Sequence, residues 1–325
     1  MSENFSHTND KLFAVSVVFN PANWQSRIRL YKDFAPYLEY CGVKLFTVEI
    51  ALQDRPFEVT TSYNPWNLQL RSNHILWHKE RALNLGYQAL KKLVPNIKNV
   101  AFLDADVKFT NPNWAKDTVL SLDHYDVVQT FSQCMYLGPD HEMLWTTISR
   151  FQGWLNKGYH QIPPKPLTQI ATGHPGLAWA FRTDTLDKLG GLFETSITGS
   201  GDTHMANGLM GDIIFNAKPG MSEGFKKSLL DWQAKADQYV KWNIGAVKGS
   251  CLHYWHGRGD ERGYAKRWDI TCFHKYDPAT DIKTGENGLF EYTGNKKNLE
   301  FDLRISLTSR NEDTIDNERW KHSSY

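Results

Sequence analysis

Two carboxylates one residue apart end a short apolar run, and they are the part of this sequence best suited to chemistry. The run Val100–Leu103 is typical of a buried parallel strand, and Asp104 and Asp106 follow it. Ligands bind at the carboxyl ends of strands in α/β sheets, and a period of two would point both carboxylates to one face. Such a pair repels unless a cation such as Mg²⁺ or Mn²⁺ lies between its members. The pair predicts a metal site; the alternative is a solvated loop.

Two histidines follow a second apolar run. Gly249–Trp255 is predicted as a late strand that contains His253, and His256 follows just before Gly257. Strand residues three apart point to opposite faces, so we expect only one histidine to reach the ion held by the aspartates. The glycine indicates a loop and favours His256 as that ligand. The alternative for either histidine is an ordinary core or surface position.

A third candidate is Asp202, in the loop Gly199–His204, which is rich in Gly, Ser and Thr. A carboxylate on a tight loop before a helix can act as a general base when a hydroxyl lies within hydrogen-bond reach. The alternative is a helix N-cap, for which Asp is a favoured residue. The two roles are compatible.

Cations follow the two histidines in the sequence. Basic groups beside a metal can hold a diphosphate and stabilise its departure. The alternative is that each is a solvated surface charge. These residues are Arg258, Arg262, Lys266 and Arg267.

The elements that would position these residues alternate between strands and helices. This alternation predicts an α/β fold with a mostly parallel sheet flanked by helices. No Gly-x-Gly-x-x-Gly follows the first strand and no P-loop occurs, which disfavours a Rossmann dehydrogenase or an NTPase. Strands are predicted at 13–19, 43–50, 100–107, 125–131 and 249–255, helices at 24–40, from Ser72 or Asn73 to about 93 and at 140–156, a Pro-rich connector at 162–166, and a frayed polar tail at 309–325.

The bulk composition is that of an ordinary globular protein. The 325 residues carry a net charge of +1, which gives no general attraction to nucleic acid or anionic membranes. Four cysteines without a CxxC pair favour a reducing compartment. The polar N-terminus lacks the apolar core of a secretory signal, and no apolar stretch approaches the roughly 20 residues of a membrane span. We therefore expect a cytoplasmic protein without membrane association, in the host cytoplasm if the protein is viral.

Six segments together resemble GT-A-type glycosyltransferases related to family 2, some of which are viral. The resemblance covers roughly residues 13–313. It implies one Rossmann-like GT-A domain over 12–308, with a nucleotide-sugar half at 12–131, an acceptor half at 132–308 and a polar tail at 309–325. The matching segments are Phe46–Ile50, Leu76–Asn84, Val100–Val107, Gly176–Phe181, Gly199–His204 and His253–Arg258.

The resemblance implies transfer of a sugar from a nucleotide-sugar, with UDP-sugar the expected donor, to a hydroxyl with inversion. Asp104 and Asp106 look like the DxD motif, which bridges the donor diphosphate through Mn²⁺ or Mg²⁺, and His256 like a late metal ligand. Asp202 falls where inverting members carry the catalytic base, although here only one acid stands in that motif. The implied donor-binding residues are Phe19, Asn20, Glu49, Lys79, Asp104, Arg258 and Arg262, and those implied at the acceptor or sugar are Trp179 and His204.

The acceptor and the oligomeric state stay open at this point. A hydroxymethylated pyrimidine in phage DNA is a leading candidate acceptor, which would require a basic surface. A glycan, a lipid-linked sugar or a protein is the alternative. Two other classes of protein remain. One is a HAD-type phosphatase, because Leu103–Val107 resembles the strand that carries the nucleophile in that family. The other is a non-catalytic nucleotide- or sugar-binding protein. Candidate DNA-binding cations are Lys91, Lys92, Lys98, Lys226 and Lys227.

Overall fold

The computed structural model describes residues 11–158, 172–263 and 266–315. Strands and helices alternate along most of this length, and a 3₁₀ turn occupies Asp260–Arg262. The strands are β1 (Phe13–Phe19), β2 (Lys44–Leu52), β3 (Asn67–Ser72), β4 (Asn99–Leu103), β5 (Val107–Phe109), β6 (Val127–Gln129), β7 (Gln133–Leu137), β8 (Met143–Ile148), β9 (Ala178–Arg182), β10 (Ile244–Ala246), β11 (Ser250–His253), β12 (Ile282–Thr284) and β13 (Phe290–Tyr292). The helices are α1 (Gln25–Tyr40), α2 (Lys79–Leu93), α3 (Trp114–Leu122), α4 (Arg150–Asn156), α5 (Thr183–Leu189), α6 (Gly201–Leu209), α7 (Glu223–Tyr239), α8 (Arg267–Phe273), α9 (Pro278–Asp281) and α10 (Lys297–Thr308).

The main sheet has seven strands in the order β10-β6-β9-β4-β1-β2-β3. β9 is antiparallel to both of its neighbours, β4 and β6, and the other adjacent strands are parallel. The predicted α/β class with a mostly parallel sheet is therefore confirmed. None of the helices within the described ranges is long and apolar enough to cross a membrane.

Alternation along β1 divides the core between the two faces of this sheet. Phe13 and Val15 belong to one hydrophobic cluster, and Ala14 and Val18 belong to the other, because successive strand residues point to opposite faces. Helix α2 packs on the first face, where a Cβ on Gly86 would lie 2.6 Å from a methyl group of Val48. The glycine therefore allows helix and sheet to approach closely.

A second sheet of four strands, in the order β5-β11-β7-β8, carries the candidate histidines. β11 is antiparallel to β5 and parallel to β7. His253 at the end of β11 is paired with Val107 at the start of β5. This register brings His253 next to the turn that contains Asp106.

Two predicted helices differ from the observed elements. The predicted start of α2 at residue 72 or 73 is wrong, because β3 continues to Ser72, whose hydroxyl accepts a hydrogen bond from the His74 N–H (3.1 Å). The predicted helix 140–156 begins as strand β8, which is rich in β-branched and aromatic residues. α4 starts only after Ser149, whose hydroxyl caps it by accepting from the Gln152 N–H (3.1 Å). The connector at 162–166 lies outside the described residues.

The prediction of a frayed tail from Ser309 is wrong for the part that the structure describes. Arg310 and Glu312 are buried. The Asp313 carboxylate accepts hydrogen bonds from the backbone N–H groups of Gln25 (2.9 Å) and Ser26 (2.8 Å) at the start of α1. Polar side chains in residues 309–315 bind the body of the protein, so polarity in this segment does not indicate solvation.

Candidate active site

The two aspartates lie on the turn between β4 and β5. The Asp104 N–H donates to the Leu177 carbonyl (2.8 Å), and the Asp106 carbonyl accepts from the Tyr254 N–H (2.8 Å). The turn is thus fastened to the chain just before β9 and just after β11. Because the strand ends at Leu103, the expected period of two does not apply, and the two carboxylates have different partners.

Asp106 lies beside both histidines. Its Oδ2 is 3.0 Å from Nε2 of His256 and 3.7 Å from Nε2 of His253, and the two Nε2 atoms are 3.2 Å apart. The expectation that the two histidine side chains point to opposite faces is wrong, and whether one or both bind an ion stays a prediction. β11 ends at His253, so the chain turns and returns the His256 side chain to the same place.

These three residues fit a divalent cation. One nitrogen from each imidazole and one oxygen of Asp106 lie within 4.8 Å of one another. Oδ1 of Asp106 is buried without a hydrogen-bond partner among the described residues, as a ligand atom awaiting an ion would be. A mixed nitrogen and oxygen set suits a transition ion such as Mn²⁺ better than Mg²⁺, which prefers oxygen.

The protonation states of these residues also favour metal binding. Burial alone would raise the pKa of Asp106, but the imidazoles of His256 and His253 lower it well below its usual range. Burial lowers the pKa of His253, in opposition to Asp106. An ionised carboxylate and a neutral imidazole are the forms that ligate a metal.

Asp104 forms an ion pair with Lys79, the first residue of α2. Burial opposes the charge of this lysine, but Asp104, Glu80 and Asp202 together raise the pKa of Lys79. Burial and then the charge of Asp106 raise the pKa of Asp104 against the influence of Lys79. Carboxylates are thus crowded here, a condition that a bound cation relieves.

Asp202 lies against the same turn. Its Oδ2 passes so close to Gly176 that a Cβ there would be 2.2 Å away, and the next residue, Leu177, binds the Asp104 N–H. The N-cap of α6 is Ser200, held at φ 68°, and Asp202 is the second residue of the helix. The N-cap alternative for Asp202 is therefore wrong, and the strained loop instead presents this carboxylate to the site.

Two further titratable groups of the site were not predicted from the sequence. Glu80 is buried against Gly201, where a Cβ would lie 2.7 Å from its carboxyl, and burial raises the pKa of Glu80 to about 7. His174 accepts a hydrogen bond from the Gly176 N–H (3.1 Å), and burial lowers its pKa to about 4. Glu80 directly follows Lys79 in sequence, and adjacent residues of a helix do not face each other. The sequence therefore gives no reason to expect both side chains in one site.

Three arginines gather near the loop that precedes α6. Arg267 donates to the Ser200 hydroxyl (3.3 Å), and Arg310 stacks over Trp77 at 5.0 Å. Burial, and then the charge of Arg267, lower the pKa of Arg310 to about 9 against the opposing charge of Glu312, and Arg262 acts in the same direction as Arg267. We call Arg262, Arg267 and Arg310 the arginine cluster; Arg267 and Arg310 are buried, and Arg262 is half-buried. Cations that repel one another in this way are stabilised by an anion such as a diphosphate.

Arg258, the other arginine predicted to bind the donor, is buried next to Glu261. Its guanidinium lies 4.0 Å from the Glu261 carboxylate. The predicted solvated-charge alternative therefore does not describe Arg258.

The predicted donor-binding residues at the ends of β1 and β2 have structural contacts. Phe19 is buried with its ring edge-on to His78, and the side chain of Asn20 bonds both the N–H and the carbonyl of Trp24. The Glu49 carboxylate accepts hydrogen bonds from the backbone N–H groups of residues 58–60 and from a threonine hydroxyl. These contacts shape the loops beside the sheet, and a role of these residues in donor binding stays a prediction.

The structure buries Trp179 and His204, the residues predicted at the acceptor or sugar. Trp179 is 5% exposed, packs against Phe151 and Phe181, and donates to the Pro175 carbonyl (2.8 Å). His204 is 2% exposed, and burial lowers its pKa to about 4. Contact of either residue with a sugar stays a prediction.

An aromatic pair lies beside His253, one of the candidate metal ligands. Tyr136 on β7 stacks on Trp145 on β8 with ring centroids 4.2 Å apart. The Tyr136 ring also meets the His253 ring edge-on at 5.0 Å. Both aromatic side chains are half-buried, so this pair is a better candidate than Trp179 for stacking against a ring of the acceptor.

Most of the lysines proposed to attract DNA have an acidic partner. Lys91 pairs with Asp187 (2.6 Å) and Lys226 with Glu223 (2.7 Å). Lys227 pairs with Asp231 (2.5 Å). These pairs reduce the local positive potential, so the basic surface expected for a DNA acceptor is weakened.

No protein-family model and no curated protein matches the sequence. Solved structures of glycosyltransferases are similar at low identity. A mutant of Drosophila β1,4-galactosyltransferase 7 in complex with manganese, UDP-Gal and xylobiose is 12% identical, with 96% of this chain and 80% of that chain covered and a TM-score of 0.33. The catalytic domain of the Drosophila enzyme with xylobiose is 13% identical, with 94% of this chain and 82% of that chain covered and a TM-score of 0.33. A glycosyltransferase involved in glycosylation of the major capsid of PBCV-1 is 9% identical, with 91% of this chain and 99% of that chain covered and a TM-score of 0.31. TM-scores of this size assign neither activity nor metal requirement to this chain.

Proposed function

We propose that this chain is a metal-dependent, inverting GT-A glycosyltransferase that moves a sugar from a nucleotide-sugar, with UDP-sugar preferred, to a hydroxyl. One observation carries the proposal. Oδ2 of the Asp106 carboxylate lies next to Nε2 of both His253 and His256, and its Oδ1 has no hydrogen-bond partner among the described residues. These three side chains lie beside the Asp104 carboxylate, on the same turn as Asp106, and near Arg262 of the arginine cluster. Transfer from a diphosphate donor requires such cationic groups to stabilise the leaving diphosphate.

The donor diphosphate binds between cations of the protein. Asp106, His253 and His256 would hold the metal, which when bound neutralises charge on the diphosphate oxygens. The arginine cluster supplies hydrogen-bond donors to the same diphosphate as negative charge develops on it. Lys79 balances Asp104 and keeps this part of the site from repelling an anionic donor.

Asp202 accepts the proton of the attacking hydroxyl. The acceptor oxygen forms a bond to the anomeric carbon, the bond from that carbon to the diphosphate oxygen breaks, and the bonding electrons leave with the diphosphate. A base separate from the leaving-group site suits a single displacement, which inverts the anomeric centre. Glu80 adds a buried acid beside Asp202 that can take up or release a proton near neutral pH.

We favour a sugar hydroxyl as acceptor. The Tyr136–Trp145 pair offers a ring face next to His253, and paired lysines weaken the surface that DNA needs. A hydroxymethylated pyrimidine in DNA is the second candidate, because a flipped base also stacks on aromatic rings.

Release of UDP from a panel of UDP-sugars, with and without Mn²⁺, tests the proposal. The panel is repeated with simple glycosides and with hydroxymethylated DNA as acceptors. We expect Mn²⁺-dependent release by the wild type, faster with a glycoside, and loss of release in Asp202→Asn with UDP binding retained. UDP binding without turnover would instead indicate a non-catalytic binding protein. An aspartyl-phosphate that disappears in Asp104→Asn would indicate a phosphatase.

A further inference from the structure

Glu312, from the tail beyond α10, approaches the far side of the His256 ring. Its Oε2 is 3.5 Å from Nδ1 of His256, while Nε2 of the same ring is 3.0 Å from Asp106. The imidazole thus lies between two carboxylates. Histidines that bind metals almost always donate their second ring N–H to such a group, which fixes the tautomer and the ring orientation.

Arg27 holds the Glu312 carboxylate in a fixed plane. Its Nε and one terminal nitrogen each donate to a different oxygen of Glu312 at 2.7 Å, and its other terminal nitrogen donates to the Phe19 carbonyl (2.9 Å). Glu312 is completely buried, and Arg27 donates to both of its oxygens. Glu312 is therefore an acceptor whose position is set through Arg27 by the end of β1.

The backbone around Glu312 is built to pass close to the histidine loop. Gly257 has φ +90°, and a Cβ there would lie 2.3 Å from the Asn311 carbonyl oxygen. Trp255 donates to the Thr314 carbonyl (2.5 Å), and Asp313 caps α1. Contacts on both sides of Glu312 thus hold it at His256.

We propose that Glu312 is a positioning residue of the metal site. It accepts the proton of Nδ1 and directs the unprotonated Nε2 of His256 to the ion. The C-terminal segment Arg310–Thr314 would then belong to the active site, with Arg310 in the arginine cluster and Glu312 behind the ligand. This inference rests on the proposed metal site.

Mn²⁺ affinity, measured by electron paramagnetic resonance without donor or acceptor, tests the inference. We expect Glu312→Gln to weaken Mn²⁺ binding about 10- to 100-fold, as loss of outer-shell partners does elsewhere. Asp313→Asn is the matched control: it removes the negative charge next to Glu312 but keeps an amide oxygen that can accept from the start of α1, so Mn²⁺ affinity should stay unchanged. An unchanged affinity in Glu312→Gln, or an equal loss in Asp313→Asn, overturns the inference.

A second variant avoids an unpaired buried arginine. The double variant Arg27→Met with Glu312→Leu replaces the ion pair by apolar side chains, a change that buried pairs often tolerate. It should weaken Mn²⁺ binding as Glu312→Gln does, and normal binding in the folded double variant contradicts the inference. Nitrogen-15 shifts of the His256 ring, recorded with the diamagnetic ion Zn²⁺ bound, provide a further readout: in the wild type Nδ1 should carry the proton and Nε2 should bind the ion, and in Glu312→Gln a fraction of the rings should lose this arrangement. Binding of the ion through Nδ1 in the wild type contradicts the inference.

The two proposals fail in different ways. If the wild type itself does not bind Mn²⁺, the proposed function fails and the inference falls with it. If the wild type binds Mn²⁺, His256→Ala abolishes binding and Glu312→Gln leaves the affinity unchanged, only the positioning role is wrong.

Discussion

Asp104 and Asp106 are separated by one residue, yet their carboxylates have different partners: Asp104 pairs with Lys79, and Asp106 faces two imidazoles. The proposed function therefore gives the two aspartates different roles. Asp106 would hold the metal, whereas Asp104 and Lys79 would set the charge of the surface on which the donor binds.

Replacement of Lys79 by methionine should separate donor binding from metal binding. The variant leaves Asp104 without its ion-pair partner, so negative charge increases where the anionic donor binds. We expect UDP affinity to fall about 10-fold, or about 1.4 kcal/mol, while Mn²⁺ affinity is unchanged or higher. Calorimetry with each ligand checks this, and a parallel loss of both affinities would show that Lys79 maintains the whole site.

Asp202→Asn should lower kcat about 10²- to 10⁴-fold, because the amide cannot accept the proton of the acceptor hydroxyl. The Kd for UDP and Mn²⁺ should not change, since Asp202 lies in neither the metal set nor the arginine cluster. Single-turnover assays and calorimetry measure the two quantities. Substantial transfer by this variant would move the role of base to another group, with Glu80 the first candidate.

Glu80 should make the protein less stable as the pH rises. Its folded pKa of about 7 is raised from an ordinary value of 4.5, so the folded state holds its proton more tightly than the unfolded state. The stabilising contribution of protonated Glu80 is fully present below pH 4.5 and is lost as the pH rises through 7. Glu80→Gln does not titrate, so its free energy of unfolding should rise by about 2–3 kcal/mol relative to that of the wild type between pH 5 and pH 8. This figure follows because a pKa difference of one corresponds to about 1.4 kcal/mol.

Urea unfolding in the presence of EDTA at the two pH values measures this difference. Glu286→Gln, a change at an exposed glutamate, serves as the comparison. A difference between wild type and Glu80→Gln that does not vary with pH would show that Glu80 has an ordinary pKa in the fold.

Trp145→Ala should raise the KM for the acceptor and leave the Kd for UDP unchanged. Loss of one stacking partner typically costs about 0.5–1.5 kcal/mol, so the increase should be roughly 2- to 10-fold. Thr146→Ala, at the exposed neighbouring residue on β8, is the control and should alter neither constant. A normal acceptor KM in Trp145→Ala would place the acceptor elsewhere.

The sequence predicted the parts of the molecule that depend on local pattern. The first strand, the second strand and the carboxylates at the end of β4 follow from apolar runs and their ends, and β1 has the predicted bounds. The pairing of Asp106 with two histidines did not follow, because it depends on where β11 ends and on the register between β11 and β5.

Polar residue type was a misleading sign of solvation at the tail, and residue type alone did not indicate that Trp179 and His204 are buried. Glu312 and Arg310 look like solvated residues, but each is buried by groups more than 200 positions away in sequence, such as Arg27 and Trp77. Trp179 and His204 are predicted at the acceptor or sugar, and both are buried. Contacts between distant segments decide both cases, and no periodicity in the sequence encodes them.

The central claim is that a cation held by Asp106, His253 and His256 binds the diphosphate of a nucleotide donor. Calorimetric titration of UDP into the wild type and Asp106→Ala, each with Mn²⁺ and with EDTA, tests it most directly. We expect UDP affinity to rise at least about 10-fold with Mn²⁺ in the wild type and not in Asp106→Ala. Equal UDP affinity in all four titrations would contradict the claim.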